Sequence, residues 1–235
     1  MDAVQGHYGL PEVVAAYGRQ TALQPGEAAL LSRLEGAIHG KDVLDLGVGA
    51  GRTTEHLAPL AGRYVGMDYS PGMIEECRRR YPGLDLRHGD ARDLGAFEEG
   101  SFDFVLFSYN GLDDVDPGGR LKILAEVHRV LRPGGIFAFS AHNLEARRRS
   151  AFAPGGRSLK RYAAGIANHL RMKRHERRGD GWAVLNDQSH NFRLLTYYVT
   201  PERQAAQLLE TGFTAIETFG SRTDAWIYYA ARKPS

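Results

Sequence analysis

Cysteine is nearly absent from this sequence: Cys77 is the single example among 235 residues. One cysteine cannot form a disulfide within the chain or build a zinc site from several thiolates. No hydrophobic run approaches the ~20 residues that a transmembrane helix needs, and the first residues lack the basic and apolar segments of a secretion signal. We therefore expect a cytoplasmic protein without a membrane partner.

Charge is nearly balanced overall but unevenly distributed. The chain has 30 Lys and Arg residues against 28 Asp and Glu, a net charge of +2. Residues 145–178 hold 11 of the basic residues and two acidic ones, Glu145 and Glu176. Such a stretch predicts either a surface for an anionic partner or a solvated face.

Hydrophobic runs and helical patterns alternate from residue 43 onward, which is typical of a doubly wound α/β sheet. We predict one domain over residues 1–235, with N-terminal helices in 1–40 covering the carboxyl edge of the sheet and a basic helical insertion over 144–195 as a substrate cap. The link 220–224 is too short for a crossover helix, so the last two strands should pair antiparallel. The predicted strands are 43–46, 64–67, 84–87, 102–107, 136–140, 213–219 and 225–231, and the predicted helices are 12–18, 27–39, 53–61, 71–80, 119–131, 158–178 and 202–211.

A glycine-rich turn follows the first predicted strand directly. Gly47, Gly49 and Gly51 let a ligand approach the backbone closely, because glycine has no Cβ. A dinucleotide fingerprint would need its third glycine where Arg52 stands, so the spacing argues against a nicotinamide cofactor. Asp68 ends the next strand, where a carboxylate could accept hydrogen bonds from a ribose or cap the following helix. Together with the glycine turn, the ribose role is favoured.

Five motifs follow one another along the chain: LDLGVGAG at 44–51, GMDYS at 66–70, GDA at 89–91, FDFV at 102–105 and LRPGG at 131–135. In this order they resemble the class I S-adenosylmethionine-dependent methyltransferases, and the resemblance covers most of the chain. It implies a Rossmann-like sheet of seven strands whose last strand is antiparallel. It also implies S-adenosylmethionine as the cofactor and S-adenosylhomocysteine as the product.

The same resemblance implies where the cofactor lies. The glycine turn would hold its methionine end, Asp68 its ribose, and Asp90 with Ala91 its adenine. By chemistry, the ammonium needs a carboxylate such as Asp45 or Glu27, and the carboxylate needs an arginine, Arg19 or Arg52. Arg19 could reach in from the N-terminal helices, whereas Arg52 is expected to face solvent or stabilise its own turn. The predicted cofactor-binding residues are Tyr17, Arg19, Asp45, Gly47, Gly49, Gly51, Asp68, Tyr69, Asp90, Ala91 and Ser108.

Candidates for catalysis follow the fourth and fifth predicted strands. His142 is the leading candidate for a general base, which a hydroxyl acceptor needs and an amine needs much less. The alternative is a histidine satisfied by backbone groups at the start of a loop. His190 is the second candidate, and Tyr109 and Asn110 complete the predicted catalytic set. Acidic residues at 113–116 could hold magnesium, but turn chemistry explains them as well, and we predict no metal.

A basic helix is predicted over 158–178, with apolar residues at Leu159, Tyr162, Ile166 and Leu170 on one side. It could steer an anionic substrate, bind RNA, or pack or dimerise through its apolar stripe. We predict a methyltransferase that acts on nitrogen or oxygen of a small molecule in specialised metabolism. The expected substrate is anionic or aromatic, nucleic acid is disfavoured, and a homodimer is allowed. The alternatives are an RNA methyltransferase and a non-catalytic cofactor-binding scaffold.

Overall fold

One mixed sheet of ten strands forms the centre of the computed structural model, which describes residues 3–147, 159–186 and 191–235. Buried apolar residues alternate between the two faces of the sheet, so each face packs against its own layer of helices. The strands are β1 (Asp42–Leu46), β2 (Arg63–Asp68), β3 (Asp85–His88), β4 (Phe102–Phe107), β5 (Leu131–Asn143), β6 (Arg177–Gly179), β7 (Trp182–Asn186), β8 (Leu195–Val199), β9 (Thr214–Phe219) and β10 (Trp226–Arg232).

Seven of these strands form the sheet that the sequence predicts. β3, β2, β1, β4 and β5 lie side by side and are parallel, β10 pairs antiparallel with β5, and β9 pairs antiparallel with β10. The α/β class and the antiparallel last strand are confirmed.

The count of seven strands is wrong, because β6, β7 and β8 extend the same sheet. β8 pairs with the end of β5 at His142 and Asn143, and β7 and β6 follow as an antiparallel ribbon. Asp180 and Gly181 form the two-residue turn of that ribbon, and Gly181 has a φ of +69°. An Asp-Gly pair is a typical hairpin signal, and the first strand of this hairpin occupies residues that were predicted as the end of the basic helix.

The helices mostly follow the predicted pattern, with several differences. The helix predicted over 53–61 covers only Thr54–Leu57, and the helix over Ala3–Tyr8 was not predicted. The helix predicted over 27–39 is divided at Leu34, whose φ of −104° and ψ of 9° leave helical geometry. The basic helix ends at Lys173, and its predicted start at Ser158 lies outside the described residues. The helices are α1 (Ala3–Tyr8), α2 (Pro11–Gly18), α3 (Pro25–Arg33), α4 (Glu35–Ile38), α5 (Thr54–Leu57), α6 (Pro71–Arg80), α7 (Pro117–Val130), α8 (Leu144–Arg147), α9 (Leu159–Lys173) and α10 (Pro201–Glu210).

The carboxyl ends of the five parallel strands meet at one edge of the sheet. A ligand binds at this edge in open α/β folds, because the loops that leave the strands converge there. α1 and α2 contribute residues to the pockets at this edge. Among the described residues, no helix is both long enough and apolar enough to cross a bilayer.

Candidate active site

A narrow pocket of about 150 Å³ lies at the carboxyl ends of β1 to β4. Gly47 forms part of the pocket wall. The φ of Gly47 is +62°, and a Cβ at this residue would lie 2.6 Å from the ring of Phe107. Gly49 also has a positive φ, +57°, and its N–H donates to Asp68 Oδ2 at 2.8 Å. Only glycine combines this backbone conformation with room for a ligand beside the turn.

Asp68 fixes the neighbouring part of the pocket. Its second oxygen, Oδ1, accepts a hydrogen bond from the Ser70 N–H at 2.8 Å. Burial raises the pKa of Asp68, and the hydrogen bonds from Ser70 and Gly49 oppose that rise. The carboxylate therefore ties the loop after β2 to the glycine turn while it lines the pocket.

Asp90 and Arg92 form the far end of the pocket. Their side chains form an ion pair with an N–O distance of 2.6 Å, and the Arg92 guanidinium lies 5.5 Å from the ring centre of Tyr69. Burial alone would raise the pKa of Asp90, but the hydrogen bonds from Arg92 outweigh it and lower the pKa. Ala91 and Tyr69 line the same end.

Arg52 lies in the wall of this pocket, so the expectation that it faces solvent or serves only its own turn is wrong. Its guanidinium forms two hydrogen bonds to the fully buried Glu27, one of them 2.9 Å long, and lies 4.8 Å from the ring centre of Tyr109. The Ser108 hydroxyl donates to the same carboxylate. α3 thus holds a cation at the glycine turn, a long-range contact with no sequence signal.

Three predicted cofactor residues do not line the pocket. Arg19 is exposed at the end of α2. Asp45 is buried, where Oδ2 accepts hydrogen bonds from Thr53 and Tyr64. Gly51 makes room for packing, because a Cβ there would lie 2.5 Å from the ring of Tyr81. The remaining predicted cofactor residues all line it: Tyr17, Gly47, Gly49, Asp68, Tyr69, Asp90, Ala91 and Ser108.

A second and wider cavity of about 780 Å³ adjoins the first, and we call it the acceptor cavity. Tyr8, Tyr17, Tyr109 and Asp114 line both spaces. The Tyr8 hydroxyl donates to Asp114 at 2.9 Å, and burial raises the pKa of Tyr17 to about 12. Tyrosine rings and one carboxylate therefore form the junction. The remaining lining residues are His7, Leu10, Glu12, Val13, Ala16, Asn110, His142, Ala164, Asn191, Arg193, Thr196 and Trp226.

Tyr109 and Asn110 leave β4 in a strained conformation. Their φ values are +54° and +60°, and a non-glycine residue held there costs on the order of 1–3 kcal/mol. The Asn110 N–H donates to Ser140 Oγ at 2.9 Å, which supports the turn. Within the described part of the chain, the buried Asn110 Oδ1 has no hydrogen-bond partner. This acceptor atom belongs to a residue that lines the acceptor cavity.

His142 lines the same cavity at the end of β5. Its Nδ1 lies 2.9 Å from Asp113 Oδ2, and its backbone N–H donates to the same oxygen at 2.6 Å. With the Nδ1 proton directed at a carboxylate, the lone pair of the neutral ring is on Nε2. The structure thus brings Tyr109, Asn110 and His142 together, whereas His190 lies outside the described residues.

Asp113 is itself held by Arg120, and both side chains are fully buried. Arg120 also donates to the Leu112 carbonyl at 3.0 Å and to the side chain of Gln204, and it lies 4.6 Å from the ring centre of Tyr197. A buried cation with this many partners holds the Asp113 side chain in place as the partner of His142.

The other carboxylates near Asp113 accept hydrogen bonds from different groups. Asp114 accepts from Tyr8, and Asp116 caps α7 by accepting from Gly118 and Gly119. Among the described residues, no group of three His, Cys, Asp or Glu side chains is arranged to hold a metal ion.

Comparison with known proteins shows what this chain is similar to. Residues 43–135 match a family model described as a methyltransferase domain. This part of the chain is therefore similar to the methyltransferase domain of S-adenosylmethionine-dependent enzymes. A probable S-adenosylmethionine-dependent methyltransferase of Mycolicibacterium smegmatis is 34% identical over 123 residues, which is 52% of this chain and 44% of that protein. A demethylmenaquinone methyltransferase of Clavibacter sepedonicus is 38% identical over 132 residues, or 53% of this chain and 52% of that protein.

The chain thus spans about half the length of these curated relatives. Solved structures match the methyltransferase domain together with its flanking elements. An S-adenosylmethionine-dependent methyltransferase from Mesorhizobium loti has a TM-score of 0.65 at 19% identity, covering 88% of this chain and 98% of that one. The 1,6-didemethyltoxoflavin-N1-methyltransferase of Burkholderia thailandensis has a TM-score of 0.63 at 19% identity, covering 99% of this chain and 88% of that one. At these identities the likeness concerns the fold.

Proposed function

We propose that this chain is an S-adenosylmethionine-dependent methyltransferase that methylates an oxygen or nitrogen of a small molecule held in the acceptor cavity. The observation that carries the proposal is the junction of the two pockets, where Tyr8, Tyr17, Tyr109 and Asp114 belong to both walls. Methyl transfer requires two ligands to meet at such a junction with water excluded, and alignment of this kind can lower a barrier by several kcal/mol.

The residues of the narrow pocket fit the cofactor. Gly47 and Gly49 leave a cradle beside the turn that a Cβ would fill. Charged side chains line the pocket after each of the first three strands: Arg52 after β1, Asp68 at the end of β2 and Asp90 after β3. Arg52 would receive the carboxylate of the methionyl group, Asp68 the ribose hydroxyls, and Asp90 the adenine amine. When bound, the cofactor supplies an electrophilic methyl group attached to a positively charged sulfur.

His142 favours a hydroxyl as the acceptor group. A hydroxyl becomes a good nucleophile when its proton is removed, and His142 Nε2 is the atom that would accept this proton. Asp113 would stabilise the imidazolium that results, and Arg120 holds Asp113 in position. Asn110 Oδ1 supplies a hydrogen-bond acceptor that would orient a donor group of the substrate.

The acceptor cavity favours a planar molecule. Tyr8, Tyr17, Tyr109, Trp226 and His142 are linked by ring contacts, with successive ring centres 5.5–6.1 Å apart. A volume of about 780 Å³ lies within the range of small-molecule sites. The name of the Clavibacter relative, demethylmenaquinone methyltransferase, supports a small organic acceptor of this kind. A cytoplasmic location, homodimer formation and a role in specialised metabolism stay predictions.

The test is transfer of a labelled methyl group. We would incubate the purified chain with methyl-labelled S-adenosylmethionine and a metabolite extract, and count the label separately in small-molecule, RNA and protein fractions. Asp68→Ala, which removes the proposed ribose contact, sets the background. Label in the small-molecule fraction that disappears with Asp68→Ala supports the proposal. Label in RNA, or cofactor binding without transfer to any fraction, contradicts it in favour of an RNA methyltransferase or a scaffold.

A further inference from the structure

Helix α9 packs on the domain through its polar side. Asn168 donates to the Asn191 carbonyl at 3.0 Å, and His169 Nδ1 lies 3.0 Å from Asn186 Oδ1. Gly165 brings the helix so close that a Cβ there would lie 2.8 Å from Asn191 Oδ1. Most helices on a domain surface bury an apolar stripe, whereas the inward contacts described for Gly165, Asn168 and His169 are those of small and polar groups.

The apolar side of the same helix faces outward. Tyr162, Ile166 and Leu170 are 45%, 36% and 67% exposed. Their spacing of four residues places them on one side of the helix, one above the other. Single exposed apolar residues are common on protein surfaces, but an aligned set marks a contact surface. We call these three residues the α9 stripe.

Cations follow the α9 stripe at the C-terminal end of the helix. Arg171, Lys173 and Arg174 are exposed at the end of α9, and Arg177 and Arg178 are exposed in β6 just beyond it. Helix α9 has no acidic residue, and none of these five cations forms an ion pair within the described residues. The two nearby acidic residues are Glu176, which accepts a hydrogen bond from the Asn186 N–H, and the exposed Asp180.

We propose that the α9 stripe and the cations beyond its C-terminal end bind the surface of an anionic lipid bilayer. Apolar side chains enter the boundary between headgroups and acyl chains, while arginine and lysine meet the lipid phosphates. RNA would match the cations but would leave the stripe exposed to water. A second copy docked through the same face would cover the stripe but would bring two sets of identical cations together.

Helix α9 also contributes Ala164 to the wall of the acceptor cavity, from a side of the helix away from the stripe. Docking on a membrane surface needs no transmembrane helix. The proposal differs from the expectation from sequence that the protein has no membrane partner. The inference stands apart from the proposed methyl transfer, since it depends on the outer side of α9 and not on the chemistry of the site.

The experiment measures co-sedimentation of the full chain with vesicles of phosphatidylcholine, with and without phosphatidylglycerol. We expect binding to the anionic vesicles and little to the neutral ones. Two variants divide the surface: Ile166→Ser with Leu170→Ser removes the stripe, and Arg171→Glu with Arg174→Glu reverses charge. Each should weaken binding by about tenfold or more, because apolar side chains buried at the lipid boundary and cations near anionic headgroups both contribute to binding. The matched control is Leu209→Ser, which removes another exposed leucine, 59% exposed, from α10.

Circular dichroism and thermal melting would confirm that each variant is folded. Absence of vesicle binding, or equal losses in the stripe variant and in Leu209→Ser, overturns the proposal. A dimer in size-exclusion chromatography that the stripe variant dissociates, without vesicle binding, assigns the surface to a second copy instead. Salt-dependent binding of RNA that is abolished by the charge variant and unaffected by the stripe variant assigns it to nucleic acid.

Discussion

Asp113 Oδ2 accepts two hydrogen bonds from His142, one from the backbone N–H at 2.6 Å and one from Nδ1 at 2.9 Å. A single oxygen therefore fixes both the position of the residue and the orientation of its ring. The 3₁₀ turn after β4 carries Asp113 and the end of β5 carries His142, so the pair joins the two strand ends at which acceptor residues are expected.

Replacing His142 by alanine should lower the turnover number about 10²- to 10⁴-fold with a hydroxyl acceptor, the usual contribution of general base catalysis. Cofactor affinity should stay within about twofold, because His142 lines the acceptor cavity and not the narrow pocket. Turnover is measured with methyl-labelled cofactor and affinity by calorimetry. The control is His39→Gln, which changes an exposed histidine that lines neither space. Wild-type turnover in His142→Ala would remove His142 as the base.

Arg120→Met should destabilise the fold by about 3–5 kcal/mol, because it leaves Asp113 as a buried charge without its cation. For a chain of this size, that loss lowers the melting temperature by about 6–20 °C. The matched control is Arg203→Met, which breaks an exposed ion pair with Glu210 and should cost no more than about 1 kcal/mol. Equal losses in the two variants would show that the buried pair adds little to stability. Chemical unfolding monitored by circular dichroism measures both.

Local sequence patterns predicted most of the strands and helices that position the site. β4 and α6 have the bounds expected from their apolar runs and from Pro71 at a helix start, and the short link at 220–224 indicated the antiparallel pair. The glycine turn and Asp68 were found because a strand, a turn and a carboxylate follow one another within a short stretch of sequence.

Contacts between distant residues could not be predicted in this way. The pairs of Arg52 with Glu27 and of Arg120 with Asp113 depend on how α3 and α7 pack against the sheet, and no spacing in the sequence encodes them. The α9 stripe was visible as a period of four residues. Period alone could not show that this side faces outward, because helices of the same pattern usually bury it.

Asp68→Asn should weaken cofactor binding about 10- to 100-fold, the cost of losing one or two hydrogen bonds to a charged acceptor. The amide can still accept from one of the two N–H groups of Gly49 and Ser70, but it cannot accept from both and also bind a ribose diol. Calorimetric titration with S-adenosylhomocysteine measures the change. Asp93→Asn is the control, since Asp93 is exposed and caps its own turn at Gly95. An affinity within twofold of wild type would remove Asp68 from the ribose site.

Asp45 should make stability depend on pH near neutrality. Burial raises its pKa to about 7, although hydrogen bonds from Thr53 and Tyr64 oppose the rise. The folded state then holds the Asp45 proton more tightly than the unfolded chain does. The stabilisation is complete below about pH 4, where both states are protonated, and is lost as pH rises through about 7.

Asp45→Asn should remove this dependence. Between about pH 5 and pH 8 the wild-type free energy of unfolding should fall by about 2–3 kcal/mol relative to the variant, as linkage requires for a pKa of about 7. Urea unfolding at several pH values measures the difference. Asp85→Asn is the control, because Arg87 lowers the pKa of Asp85 and confines its effect to more acidic pH. Wild-type and Asp45→Asn curves that run parallel from pH 5 to pH 8 would show that Asp45 is ionised throughout, so the glycine turn would then rest on a buried charge held by Thr53 and Tyr64.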